Sequence, residues 1–348
     1  MKQNKTMNEN IFLDTLKGKP ISRPPVWFMR QAGRILPSYL AIKENYTFWQ
    51  MMQNPEIAAQ VTLLPVDDLG VDAAILFSDI LIVPYAMGMG LDFTDNGPVF
   101  AQPLAQKANP VSALNPDASK FEYVYKVIDQ IIKTRKDNTP LIGFCGSPLT
   151  VLCYMLQGLG KNPEFPEATK FFYQNKKETA QLVDAITELS IEYALGQIEH
   201  GVEAFQLFET HAGLIPWEMY REVFLPSVQK IASAVRAKGI PFIYFPKGLG
   251  TGLIDINFDH CDFVSIDWQT PLNVARMLVD DSVGLQGNLD PRLLYASQDE
   301  IKRVLESYLH FGRSNSNWIF NLGHGFMPGL PVENAKFIVD WVKQADWR

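Results

Sequence analysis

The 348-residue chain is predicted to form an α/β fold, a single-domain (β/α)8 barrel of the TIM type. Short, continuously apolar runs recur along the chain, which is typical of strands buried on both faces of a parallel sheet. Amphipathic helical patterns lie between these runs, and strand–helix alternation indicates an α/β architecture. Polar residues follow the carboxyl end of each run, at the face where such barrels carry their active sites.

The number of apolar runs favours a closed barrel, because eight parallel strands are what such a barrel needs. An open, doubly wound sheet is the alternative. In chain order, the predicted strands are residues 26–29, 73–77, 141–145, 204–208, 242–245, 263–266, 283–286 and 318–322.

The clearest helical patterns cover residues 167–194, 220–238, 299–309 and 331–344, with Pro331 in a first helical turn. The long connection from Ser78 to Pro140 contains two short β-rich stretches around Asp95-Asn96-Gly97. They predict an extra hairpin after the second strand. We expect residues 1–10 to form a flexible N-terminal segment and residues 11–348 to form one catalytic barrel domain.

Composition excludes several classes of protein. The net charge of −7 argues against a nucleic-acid-binding protein, which would carry a basic excess. No apolar run approaches the roughly 20 residues of a membrane span, and the polar N-terminus does not resemble a signal peptide. Cys145, Cys153 and Cys261 form no C-x-x-C pair, so neither a zinc site nor a disulfide framework is indicated. A reducing cytoplasm is the expected location.

The first strand leads into two arginines within the sequence Arg30-Gln31-Ala32-Gly33-Arg34. If the chain turns helical after Met29, the two arginines share one face. Guanidinium groups bind carboxylates in a bidentate manner, and a glycine lets the backbone approach a ligand closely. The segment is therefore predicted to bind an anion. The alternative is an arginine pair that bridges to carboxylates such as Glu44 or Asp79.

Asp79 follows the second apolar run and precedes another, so its carboxylate needs a partner to offset the cost of burial. A functional carboxylate and a helix N-cap formed with Ser78 are equally consistent with this pattern. His324 lies between two glycines at the end of the last strand, where its ring can face a cavity.

Three other polar residues near strand ends favour a structural role when considered alone. Tyr154 lies about two helical turns beyond Ser147 and is typical of a half-buried core tyrosine. Thr210 and His211 are typical of loop residues that hydrogen-bond to the backbone.

The glycine-rich segment that begins at Lys247 is similar to a phosphate-binding nest, but it lacks the order of a P-loop. A glycine loop at the rim is the preferred interpretation, and a Schiff-base lysine is the alternative.

Five segments of the chain resemble the uroporphyrinogen decarboxylase family, and the resemblance extends from about Leu13 to the C-terminus. The matching segments are PVWFMRQAGRILP at 25–37, DAAILFSDIL at 72–81, QLFETHAG at 206–213, LQGNLDP at 285–291 and NLGHG at 321–325.

The resemblance implies a homodimeric single-domain barrel that needs no metal or organic cofactor. The family removes carbon dioxide from the four acetate side chains of uroporphyrinogen III to give coproporphyrinogen III, a step of haem biosynthesis. The resemblance also implies catalytic roles for Asp79, Arg30, Arg34 and Tyr154, with Asp79 as the central carboxylate. The implied substrate contacts are Arg30, Gln31, Ala32, Gly33, Arg34, Asp79, Tyr154, Thr210 and His324. Thr210 stands where many relatives have serine, and it keeps the hydroxyl.

Three other functions are open. A zinc-dependent methyltransferase on the same barrel would need a His-x-Cys pair, whereas His324 is followed by Gly325 and Phe326. A lyase could use Lys247 as a Schiff base. A non-catalytic tetrapyrrole carrier would not need to preserve the arginines and Asp79.

Overall fold

A computed structural model of the protein describes residues 10–94, 97–136, 139–158, 162 and 164–347. The predicted flexible N-terminal segment lies outside these residues except for Asn10, whose side chain accepts hydrogen bonds from Phe12 N and Leu13 N and caps the first helix. Among the described residues, no helix is both long enough and apolar enough to cross a membrane.

Seven parallel strands form the main sheet, in the order β1-β4-β5-β6-β7-β8-β9, and two further strands form a separate antiparallel pair. The strands are β1 Ala74–Ile75, β2 Leu91–Thr94, β3 Gly97–Phe100, β4 Leu141–Gly146, β5 Ala204–Glu209, β6 Phe242–Pro246, β7 Phe263–Ser265, β8 Gly284–Leu289 and β9 Trp318–Leu322. The α/β class and the single-domain barrel predicted from the apolar runs are confirmed.

Helices separate the strands along the chain. They are α1 Ile11–Leu16, α2 Pro37–Lys43, α3 Phe48–Gln53, α4 Pro55–Asp68, α5 Ile82–Ala86, α6 Glu122–Thr134, α7 Pro148–Gln157, α8 Pro166–Gln174, α9 Lys176–Glu199, α10 Trp217–Val223, α11 Leu225–Arg236, α12 Leu272–Leu278, α13 Gln298–Ser314 and α14 Val332–Gln344.

The first predicted strand, residues 26–29, is reduced to one parallel bridge between Val26 and Phe320. On one side, Phe320 N donates to Pro25 O at 2.9 Å, and on the other Asp72 N donates to Val26 O at 2.8 Å. The segment therefore lies between β9 and the start of β1 and occupies the eighth position of the barrel. The chain turns away after Trp27, so a regular ladder does not form.

An ionic cluster fastens this segment at the amino-terminal face of the barrel. The carboxylate of Asp72 accepts hydrogen bonds from Val26 N at 2.8 Å and from both terminal nitrogens of Arg23, at 2.7 and 2.8 Å. Lys343 of α14 adds a third cationic contact at 3.5 Å. The cluster at this face contributes to stability and not to catalysis, because the chemistry of such barrels takes place at the opposite end.

The interior of the barrel contains a polar layer. Gln286 on β8 donates from Nε2 to Gln206 Oε1 on β5 at 3.0 Å, and its Oε1 accepts from Trp27 Nε1 at 3.0 Å. All three residues are fully buried. Buried amides are tolerated where they are hydrogen-bonded, so the layer ties the eighth position to two distant strands.

Two predicted helices are each divided in two. The pattern at 167–194 forms α8 and α9, which are separated at Asn175, where φ is −127° and ψ is 56°. The pattern at 220–238 forms α10 and α11, which meet at Phe224; Pro226 in the first turn of α11 has no N–H to continue a preceding helix. Pro331 is the N-cap of α14 and not part of its first turn, which is a correction of one residue.

The predicted extra hairpin is confirmed. Strands β2 and β3 pair antiparallel, with Thr94 opposite Gly97, in the connection that follows the second predicted strand. Asp95 and Asn96, on which the turn prediction partly rests, lie outside the described residues.

Candidate active site

The carboxyl ends of the strands bring the predicted site residues to one mouth of the barrel. Asp79 follows β1, Tyr154 lies on α7 after β4, Thr210 and His211 follow β5, and His324 follows β9. Electrostatic interactions join them: Arg30 interacts with Asp79, Tyr154 and Arg34, and His324 interacts with Arg30, Arg34 and His211. The arginines, Asp79, Tyr154 and His324 therefore lie close together at this mouth.

The segment that carries the arginines is a loop and not a helix, which corrects the expectation from their spacing. Arg30 has φ 60° and Arg34 has φ 84°, so both lie in the left-handed region that side chains other than glycine rarely adopt. Such a conformation costs about 1–2 kcal/mol per residue. It persists only where the surrounding structure holds it.

Gln31 supplies much of that support. Its Oε1 accepts from Phe28 N at 2.9 Å and its Nε2 donates to Ala73 O at 2.9 Å, and the side chain is fully buried. Ala32 is also buried. A substrate contact from Gln31 could therefore come only from its main chain, because one end of its amide is held by Phe28 and the other by Ala73, the residue before β1.

Neither arginine forms an ion pair with Glu44 or Asp79 in the described part of the chain; the ion pairs there join other residues. Both residues remain more than one third exposed. At the same time burial, followed by repulsion from Arg34, lowers the pKa of Arg30 below its usual value. The two arginines are thus accessible to water although protein atoms surround them. Their guanidinium groups are therefore available to an anionic ligand.

Asp79 is the carboxylate at this mouth. Burial raises its pKa to about 6, against the opposing effects of a hydrogen bond from Leu81 N and the charge of Arg30. Leu81 N donates to Oδ1 at 2.9 Å, and no partner of Oδ2 is found in the described residues. The N-cap of α5 is Leu81, so Asp79 does not cap this helix as the alternative interpretation proposed. Its hydrogen bond supports the turn that precedes the helix. One carboxylate oxygen remains available.

Tyr154 and His211 form an aromatic wall with Phe165. The ring of Tyr154 lies 5.1 Å from that of Phe165 and 5.9 Å from that of His211. Burial and the charge of Asp79 raise the pKa of the Tyr154 hydroxyl, so it remains protonated and able to donate. Tyr154 is half-buried, as predicted, but its interactions with Asp79 and Arg30 also place it at the mouth.

The two glycines around His324 are explained by close contacts. A Cβ atom at Gly325 would lie 2.4 Å from Arg30 Cδ, and one at Gly323 would lie 2.3 Å from Trp268 N. Burial, reinforced by nearby Arg30 and Lys247, lowers the pKa of His324 to about 3. Its imidazole is therefore neutral at pH 7, and its ring stacks at 6.3 Å on Trp268.

His211 and Lys247, which the sequence did not single out as site residues, also lie at the mouth. Burial, with the charge of Lys247, lowers the pKa of His211 to about 4, and its buried Nε2 has no hydrogen-bond partner among the described residues. Lys247 lies with its Nζ 5.6 Å from the ring centre of Trp268. The signal that could have identified both residues is their place directly after a strand end.

The possible phosphate nest after Lys247 is already occupied by the protein itself. Gly248 N donates to Asp267 Oδ2 at 2.6 Å, and Asp267 Oδ1 accepts from Gln269 N at 2.8 Å. Interpretation of this segment as a glycine loop at the rim is therefore supported.

Within the described ranges, no group of three or more His, Cys, Asp or Glu side chains is arranged to hold a metal ion. All three cysteines are buried and free.

The fold and the mouth define a class of protein: a parallel (β/α) barrel whose strand ends bring Arg30, Arg34 and Lys247 together near His324, with Arg30 also close to the carboxylate of Asp79. Such an excess of cations suits a small polyanionic molecule. The chain belongs to the uroporphyrinogen decarboxylase (URO-D) family, whose sequence model matches residues 7–345. The resemblance inferred from the five segments is thereby confirmed.

Individual relatives match over nearly their whole length. A uroporphyrinogen decarboxylase of Pelobacter propionicus is 41% identical over 334 residues, covering 96% of this chain and 98% of the relative. One of Citrifermentans bemidjiense is 42% identical over 334 residues, covering 95% and 97%.

Solved structures resemble the fold at lower identity. A methyltransferase from Methanosarcina mazei superposes with a TM-score of 0.77 at 20% identity, over 96% of this chain and 97% of the other. A B12-independent methionine synthase from Shewanella gives 0.57 at 11% identity, over 92% and 93%. At these identities the likeness concerns the fold alone, so it does not favour methyl transfer.

Proposed function

We propose that this protein removes the carboxyl groups from the four acetate side chains of uroporphyrinogen III, giving coproporphyrinogen III and carbon dioxide in haem biosynthesis. The observation that carries the proposal is one accessible carboxylate, Asp79, next to the guanidinium group of Arg30, with Arg34 close to Arg30; neither arginine forms an ion pair among the described residues. Family membership and the names of the relatives support the same reaction.

The substrate supplies its own electron sink. A proton adds to the α-carbon of a pyrrole and makes the ring cationic. The electron pair of the bond between the acetate methylene and its carboxylate then moves into the ring as carbon dioxide leaves. The methylene carbon takes up a proton and the α-carbon releases one, so each step consumes one proton overall and leaves a methyl group.

In this proposal, Asp79 stabilises the cationic pyrrole. The free Oδ2 accepts pyrrole N–H groups, and its negative charge offsets the positive charge that develops on the ring. A fixed charge aimed at developing charge is often the largest contribution to catalysis. Because Leu81 N already holds Oδ1, the carboxylate needs no reorganisation when the substrate ionises.

Arg30 and Arg34 bind acetate or propionate carboxylates, and each charge-assisted hydrogen bond contributes about 1.5–3 kcal/mol. The backbone from Gln31 to Gly33 shapes the same loop. Tyr154 and Thr210 offer hydroxyl groups, and the neutral ring of His324 offers a hydrogen-bonding nitrogen without adding charge.

Anaerobic incubation with uroporphyrinogen III, followed by chromatographic separation of the oxidised products, tests the reaction. We expect porphyrins with seven, six, five and finally four carboxyl groups. Recovery of the octacarboxylate bound but unchanged would favour a tetrapyrrole carrier, and transfer of a methyl group would favour the methyltransferase alternative. A substrate adduct trapped on Lys247 by borohydride would instead favour the Schiff-base lyase.

We also propose a homodimer in the cytoplasm. The three free, buried cysteines suit a reducing compartment. Sedimentation equilibrium should give twice the chain mass of 39.3 kDa; a monomer at micromolar concentration would contradict the dimer.

A further inference from the structure

Glu209, the last residue of β5, is buried in a way that the proposed chemistry does not explain. Its side chain is 0% exposed. Within the part of the chain that the structure describes, no cationic side chain lies within ion-pair distance of it. An ionised carboxylate buried without a counter-charge is strongly unfavourable, and such a group usually becomes neutral instead.

The groups around Glu209 are hydroxyls and a thiol. Thr150 Oγ1 donates a hydrogen bond to Glu209 Oε1, and the hydroxyls of Tyr220 and Tyr244 bond to each other beside it. Oε2 is buried without a hydrogen-bond partner among the described residues, as is the nearby Oγ of Ser147. A carboxylic acid could donate from one oxygen to such an acceptor, whereas a carboxylate could not.

One hydroxyl connects this cluster to the active-site loop. Thr150 Oγ1, which donates to Glu209, also accepts a hydrogen bond from His211 N at 3.2 Å. The main-chain oxygen of Glu209 accepts from Lys247 N at 3.0 Å. Glu209 thus fixes the start of the loop carrying Thr210 and His211, and at the same time holds the residue that follows β6.

We propose that Glu209 acts in its neutral, carboxylic acid form as a positioning residue, holding Thr210 and His211 in the mouth through Thr150. The kinetic part of this proposal rests on the proposed decarboxylation, while the protonation state does not.

The protonation of the neighbouring groups supports the proposal. Burial raises the pKa of Glu209 to about 7, although the nearby hydroxyl of Ser147 and the hydrogen bond from Thr150 favour the carboxylate and oppose it. Burial also raises the pKa values of Cys153, Tyr220 and Tyr244, and lowers that of His211 to about 4. Glu209 is therefore the member of the cluster that changes charge near neutral pH. Ionisation above pH 7 places an unpaired charge beneath the loop, so kcat/KM should decline as pH rises.

Infrared difference spectra of the whole protein, recorded across about pH 5.5–8.5, test the protonation state without substrate. We expect a carbonyl band that disappears with a midpoint near 7 in the wild type and in Asp79→Asn. This band should be missing in Glu209→Gln, where only the band of Asp79, with its midpoint near 6, remains. Glu188→Gln, an exposed change on α9, is the matched control and should keep the band. A wild type without the band would overturn the proposal.

Steady-state kinetics with uroporphyrinogen III test the positioning role. Glu209→Gln keeps the shape of the neutral acid and should lower kcat/KM by at most about threefold while removing the decline above pH 7. Thr150→Val keeps the infrared band but should lower kcat/KM at least about tenfold, and Thr150→Ser should restore it. A folded Glu209→Gln protein that loses activity at every pH, or unaltered kinetics in Thr150→Val, would overturn it.

The readouts separate the possible failures. Loss of wild-type decarboxylation with the infrared band intact would contradict the proposed function and leave the neutral carboxyl in place. If Glu209→Gln does not fold, the wild-type band and the two Thr150 variants still decide the question.

Discussion

Asp79 is subject to opposing influences at the scale of a single side chain. Burial favours its neutral acid, whereas Arg30 and Leu81 N favour the carboxylate, and burial dominates. The structure thus keeps a charge in an environment that disfavours it. Perturbed carboxylates of this kind are typical of functional sites, because a charge that is poorly solvated interacts strongly with a ligand.

Replacing Asp79 with Asn should lower kcat at least about 100-fold, with a smaller change in KM, because shape is kept while the charge that offsets the cationic pyrrole is lost. Single-turnover and steady-state assays with uroporphyrinogen III measure this. Turnover within twofold of the wild type would contradict the central role of the carboxylate.

The pH dependence follows from the same group. Because the reaction needs the ionised carboxylate and its pKa is raised to about 6, kcat/KM should fall as the pH decreases through that value. A profile of kcat/KM against pH measures the effect, with Asp79→Asn as the control that lacks this acidic limb. Activity that is constant down to pH 5 would disprove the assignment.

Sequence reasoning identified the anionic and cationic residues but not their surroundings. The spacing of Arg30 and Arg34 is compatible with a helix, and only the tertiary contacts of Gln31 exclude one. His211 looked structural because no local pattern distinguishes a loop histidine that bonds backbone from one whose Nε2 is unpaired. The pKa of a buried group depends on distant segments, which a single sequence does not display.

Strand ends and loops position these side chains at the scale of elements. The loop after β9 leaves no room for a side chain beside Arg30, because a Cβ at Gly325 would lie 2.4 Å from Cδ and 2.5 Å from Cγ of that arginine. Those atoms are close to the backbone of Arg30 and cannot move aside freely. The absence of a side chain at Gly325 therefore allows the side chain of Arg30 to adopt its orientation.

Gly325→Ala should raise KM for uroporphyrinogen about tenfold by displacing Arg30, since one charge-assisted contact of about 1.5 kcal/mol is lost. Gly90→Ala is the matched control, because nothing lies within 4 Å of a Cβ at that position. Steady-state kinetics of the two variants compare them, and equal KM values would show that Arg30 tolerates the methyl group.

The elements themselves were predictable where the local pattern and the fold agree. Seven of the eight apolar runs form strands, and the hairpin lies where its turn signal predicted. The first run failed as a strand because the chain leaves the sheet after Trp27, which its β-rich sequence does not reveal. The breaks between helices at Asn175 and Phe224 were not predicted, because the helical spacing of apolar residues continues on both sides of each break.

The barrel is closed at the scale of the whole molecule by two different kinds of contact. Backbone hydrogen bonds join the eighth position to β9 and to Asp72, two residues before β1, and the Asp72 side chain adds charge-assisted bonds at the amino-terminal face. Since the site lies at the opposite end, closure and chemistry are physically separated.

Asp72→Ala should lower the free energy of unfolding by about 3 kcal/mol, because it leaves the largely buried Arg23 without a counter-charge and removes the hydrogen bond that Val26 N donates to Asp72. Asp184→Ala, which breaks the exposed pair with Lys230, should change it by less than about 1 kcal/mol. Urea denaturation measures both. Equal midpoints would mean that the cluster does not hold the barrel closed.

The left-handed backbone at Arg30 and Arg34 sets a conflict between folding and activity. Glycine adopts that conformation without penalty, so Arg34→Gly should raise the free energy of unfolding by up to about 1 kcal/mol while abolishing carboxylate binding at that position. Thermal denaturation and a decarboxylation assay would together detect the gain in stability and the loss of activity. An Arg34→Gly protein that is less stable than the wild type would contradict the prediction. Directed evolution for heat resistance alone would discard these arginines, so a screen for robust variants needs turnover as a second criterion.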